Sequence, residues 1–82
     1  MKKTYVELIE SAAEICLVQK ENAKLFDYTS RDKAEDAMFR QGYMNAIADM
    51  FDDWLEDGIS TVYEDVNKKV KEIKEKQKES NR

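Results

Sequence analysis

The sequence predicts an all-α domain: a small three-helix bundle, or a helical hairpin with a third helix, completed by dimerisation. Three observations carry that reading. The chain of 82 residues has no proline and only two glycines, so helix breakers are scarce. Its apolar residues recur at helical spacing in three successive segments, the main sign of amphipathic helices. A chain this short also buries a limited share of its surface, which favours economical packing or self-association.

The first predicted helix covers about residues 5–26. Thr4 is followed three residues later by Glu7, the spacing of a capping box. Tyr5, Leu8, Ile9, Ala12, Ile15, Cys16, Ala23 and Phe26 gather on one face, with Gln19 inside the same arc. Glu7, Glu10, Glu14 and Glu21 fall outside it, with Lys20 and Lys24.

Phe26 to Ser30 breaks the pattern. Thr29 with Asp32 repeats the capping-box spacing and is preferred over Ser30 as the next cap. The second predicted helix, 30–57, is the hydrophobic hub. Ala37, Phe39, Tyr43, Met44, Ala46, Ile47, Ala48, Met50, Phe51, Trp54 and Leu55 spread over roughly 200° of arc, too wide for one neighbour to cover. Gly42 interrupts this helix at a cost of about 1 kcal/mol and suits a close crossing. Arg40 lies near the apolar sector and must snorkel or pair.

Gly58 is expected to end that helix in the left-handed conformation. Ser60 or Thr61 starts the third, with Glu64 at capping-box spacing from Thr61; it is predicted over 61–77 with a frayed C-terminal tail. Ile59, Tyr63, Val66, Val70 and Ile73 form its narrow seam. Glu64–Lys68, Asp65–Lys69 and Glu72–Lys76 stand at the i,i+4 spacing of surface ion pairs. The whole of 1–82 reads as a single domain without an internal repeat.

Composition restricts the chemistry. There is no histidine and a single cysteine, so imidazole catalysis, a cysteine-based zinc site and an intrachain disulfide framework are excluded. Cys16, on the core face, is expected to be a buried, unreactive thiol. Glutamates break every apolar run after the basic Met-Lys-Lys-Thr start, and no segment is long enough to cross a bilayer. A cytoplasmic location is expected.

Charge is unevenly distributed along the net −4 chain: residues 1–26 balance at zero, 27–58 carry −6 and 59–82 carry +2. Asp49, Asp52, Asp53, Glu56 and Asp57 crowd nine positions without an intervening base. Such a run solubilises a greasy helix, or it offers an acidic face to a basic partner. Tyr43, Met50, Phe51 and Trp54 share the hydrophobic sector; they pack a core or anchor an interface. The excess of large side chains favours the interface, and hence a homodimer or a contact with a larger protein. The lysines at 68, 69, 71, 74, 76 and 78 are compensated by interspersed acids, so direct nucleic-acid binding is not expected.

Asp49 with Asp52, Asp53 with Glu56, and Glu7 with Glu10 are also i,i+3 carboxylate pairs of the kind that share Mg²⁺. This spacing loosely resembles that of the small helical nucleotide pyrophosphatases of the MazG and dimeric dUTPase type. The resemblance implies a Mg²⁺-dependent pyrophosphohydrolase as one alternative function; a purely structural homo-oligomer is the other. Glu7 and Glu10 face away from the expected core, and bases suited to phosphates are not concentrated beside them. The leading expectation is therefore a non-enzymatic protein–protein interaction module without metal or cofactor. In size, acidity and helicity it is similar to small phage-encoded inhibitors of host defence or transcription, which occlude a basic surface of a larger protein.

Overall fold

A computed structural model describes residues 3–80, with side chains through 78. It is a three-helix bundle: α1 spans Lys3–Leu25, α2 Ser30–Met50 and α3 Ile59–Ser80. The tight turns make α1 and α2 antiparallel, so Gln19 meets Asp36 and Arg40 while Tyr5 meets Phe51. Helices α1 and α3 run parallel, with Tyr5 against Asp65 near their starts.

α1 is already helical at Lys3, which puts Thr4 inside the helix and not at its cap. The start of α2 follows the sequence. Thr29 has extended backbone; its hydroxyl accepts the Asp32 N–H at 3.1 Å, and the Asp32 carboxylate accepts the Thr29 N–H at 3.0 Å. Two otherwise unpaired amides are satisfied reciprocally, which ties the first turn of α2 to the loop before it.

The core joins Tyr5, Ile9, Ala12 and Ala13 of α1 to Met44, Ile47 and Ala48 of α2 and Val62 and Val66 of α3. Leu8, Cys16, Tyr43, Phe51, Leu55, Ile59, Val70 and Ile73 pack around it. The buried residues thus concentrate at the end of the bundle nearest the α2–α3 connection. At the other end α1 and α2 meet through polar groups. Arg40 Nη1 donates to Gln19 Oε1 at 2.8 Å, and Gln19 Nε2 donates to the Asp36 carbonyl at 3.2 Å. Arg40 therefore pairs, as its place beside the apolar sector requires.

Several expectations are corrected. α2 does not run to 57: it ends at Met50, where the C-cap Phe51 donates its N–H to the Ile47 carbonyl. A continuous helix through 57 would project about 10 Å further along its axis. It would carry Trp54 and Leu55 onward along that axis and away from Tyr5, on which Trp54 packs at 4.8 Å between ring centroids. It would also align acids against the negative end of its own macrodipole, at about 0.3–1 kcal/mol each. Instead the chain turns, with Trp54 and Leu55 donating backbone N–H groups to the Phe51 carbonyl at 2.9 and 3.0 Å.

Gly58 has φ of 54°, the left-handed conformation expected, and it closes this turn directly before α3. Because α3 begins at Ile59, Thr61 lies inside it, and the Thr61 hydroxyl accepts the Asp57 N–H at 3.3 Å. The seam of α3 is also shifted: Val62 is fully buried, whereas Tyr63 is partly exposed. Phe26 is exposed beyond the end of α1 and does not join the core. Gly42 marks no close crossing within the protomer, since an added Cβ would meet nothing within 4 Å. α3 continues to Ser80, past the expected start of fraying at 77; the last part of that tail, 81–82, lies outside the described residues.

Candidate functional site

The α2–α3 connection joins the two groups of side chains that the sequence singles out. Its base is an aromatic cluster. Tyr5 packs edge-to-face with Phe51 at 5.3 Å and with Trp54 at 4.8 Å between ring centroids; Phe51 and Trp54 stand 6.2 Å apart. Contacts of this geometry contribute about 0.5–1.5 kcal/mol each beyond the area they bury. The Tyr5 hydroxyl donates to Asp65 Oδ2 at 2.6 Å, connecting the start of α1 to α3 beneath the cluster. Burial first, then the hydrogen bond to Asp65 and its negative charge, push the Tyr5 phenol far above its ordinary pKa.

The same stretch of chain carries the carboxylates. Asp49, in the last turn of α2, and Asp52, Asp53, Glu56 and Asp57, in the connection, are all exposed. They do not form one helix face, because the helix stops before four of them. The ion pairs among the described residues, Arg31–Glu35 and Lys69–Glu72, involve none of the five. The Lys69–Glu72 pair also replaces the i,i+4 pairing expected for Asp65, whose carboxylate receives Tyr5.

The four hydrophobic candidates separate. Phe51 packs against the core, and Trp54 covers Tyr5 while staying 39% exposed. Tyr43 is half-buried and stacked with Phe39 at 6.5 Å, whereas Met50 projects into solvent beside the acidic segment. The connection consequently presents Met50 and the open side of Trp54 among five carboxylates.

Among the described residues, no group of three or more acidic or cysteine side chains is placed to hold a metal ion. Cys16 is half-buried; burial pushes its thiol pKa up, with Arg40 acting in the opposite direction. Among the described residues, no helix is long and apolar enough to cross a membrane.

The structure adds one grouping that the sequence reading missed. Lys20 and Lys24 of α1 stand across a cleft from Lys74 of α3, with Lys78 one turn beyond. Counting charge segment by segment sets the α3 lysines against their own neighbouring acids; the parallel packing of α1 and α3 instead joins them to the lysines of α1. The i,i+4 recurrence of lysine on both helices was the available signal.

No family model matches the chain, and neither the curated proteins nor the solved structures include a significant match.

Proposed function

We propose that this chain is a non-enzymatic protein–protein interaction module that occludes a basic surface of a larger protein in the cytoplasm, as small phage-type inhibitors and anti-defence proteins do. The observation that carries this reading is the exposed acidic segment 49–57 seated on the Tyr5–Phe51–Trp54 cluster. A concentrated negative field accelerates encounter with a positive surface and orients it. Met50 and Trp54, already exposed at the centre of that field, then supply the apolar anchors. Because Trp54 is braced by Tyr5, little freedom is lost when it docks.

The test compares wild-type protein with a variant in which Asp49, Asp52, Asp53 and Asp57 become Asn and Glu56 becomes Gln. Affinity capture should yield a basic protein with wild type, lost with the variant and weakened by added salt, with or without Mg²⁺. Equal recovery with both would overturn the proposal. Mg²⁺-dependent stabilisation abolished by Asp49→Asn with Asp52→Asn would instead favour the hydrolase alternative.

A homodimer is the second reading. It is favoured by Phe39, Ala46 and Met50, exposed at i, i+7 and i+11 along α2. Light scattering across a concentration series distinguishes a dimer from a monomer, and a monomer throughout would remove this reading.

A further inference from the structure

At the end of the bundle remote from the acidic segment, α1 and α3 finish side by side. Lys20, Lys24 and Lys74 line a cleft of about 400 Å³ between them, over the apolar side chains of Leu17 and Val18. Lys78 adds a fourth ammonium, so each helix brings a pair at i,i+4. Glu21 is the one acidic side chain in the lining. The Lys20 ammonium beside Lys74 has the largest effect on it; with desolvation next and then the charges of Lys24 and Lys78, it holds Lys74 below the usual lysine pKa. The helix dipoles favour a lysine near either C-terminus taken singly. They do not account for two pairs of like charge facing each other, an arrangement that is unfavourable until an anion enters.

We propose that this cleft binds a short phosphate chain, carried by inorganic oligophosphate or by a nucleoside triphosphate. Lysine ammoniums are compact point charges suited to phosphate oxygens. The two pairs extend about 6 Å along each helix, so a linear oligoanion engages both where a single monovalent ion reaches only part of the set. Leu17 and Val18 give the cleft an apolar floor, against which the organic part of a nucleotide can rest.

Isothermal titration calorimetry with inorganic tripolyphosphate, at 150 mM salt and on the full 82-residue chain, tests the site. Saturable binding at one per protomer is expected, weakened about tenfold or more by Lys20→Gln with Lys74→Gln. The control of equal charge, Lys3→Gln with Lys68→Gln, should bind within about twofold of wild type, because these lysines lie away from the cleft. A nucleoside triphosphate binding more tightly would add contact of its organic portion with Leu17 and Val18; equal affinity would assign recognition to the phosphate chain alone. Absence of saturable binding, or equal weakening in both double variants, would overturn the proposal. The variant with a neutralised acidic segment should retain this binding, which keeps the outcome separate from that for the proposed protein partner.

Discussion

Tyr5 does three jobs at one position, and only the first is visible in the sequence. Its place on the apolar stripe marks it for the core, where it is 1% exposed. Its hydroxyl must then find an acceptor, and Asp65, sixty positions away, provides one. Its ring also gives Phe51 and Trp54 a surface to settle on once α2 has ended. Tyr5→Phe keeps the ring and removes the hydrogen bond, so a loss of about 1–2 kcal/mol is expected near neutral pH, measured by urea denaturation. The pH dependence has a definite sign. Because the folded phenol titrates above its unfolded value, its stabilising contribution is fully present below pH of about 10 and is lost as pH rises towards the folded pKa. The gap between wild type and Tyr5→Phe should therefore narrow above that point; a gap that widens in alkali would contradict the assignment.

At the level of helices and turns, the sequence was most readable where a side chain acts locally. The Thr29–Asp32 capping box lies where its short-range pattern places it, and Gly58 is left-handed as expected, though it precedes α3 and does not end α2. The end of α2 was not readable this way, since the periodicity of Phe51, Trp54 and Leu55 continues across it. What decides it is tertiary packing: the chain bends so that Phe51 and Trp54 both settle edge-to-face on Tyr5. The seam of α3 was ambiguous for a related reason. Val62 and Tyr63 both fit between Ile59 and Val66, and the choice rests on contacts with α1 and α2. The two glycines supply a paired test at this scale. Gly42→Ala should stabilise by about 1 kcal/mol, since it is mid-helix with open space around its Cα. Gly58→Ala should destabilise by about 1 kcal/mol, since an added Cβ strains its positive φ. Thermal denaturation of both variants checks the contrast; a stabilising Gly58→Ala would place the turn in another conformation.

Across the whole molecule, the short connections and parallel placement of α1 and α3 convert a linear charge pattern into a polar one. The acidic segment 49–57 sits at one end with the aromatic cluster, and the cleft lined by Lys20, Lys24 and Lys74, with Lys78 beyond it, sits at the other. Segment totals in the sequence indicated an acidic middle, but they could not show that lysines more than fifty positions apart share a cleft. The same arrangement makes repulsion the larger electrostatic influence on stability. Among the described residues the ion pairs are Arg31–Glu35 and Lys69–Glu72, surface pairs at 3.2 and 3.3 Å, and pairs of that kind contribute about 0–1 kcal/mol. Against them stand five neighbouring carboxylates and four neighbouring ammoniums. Raising ionic strength to about 0.1 M shortens the screening length to about 10 Å and weakens both sets, relieving repulsion more than it costs attraction. The melting temperature followed by circular dichroism should therefore rise as sodium chloride increases from about 10 to 150 mM. Neutralising either cluster should flatten that rise, since each variant removes one source of repulsion. A melting temperature that falls with salt would mean that attraction between the two ends, within or between molecules, outweighs the repulsion inside each.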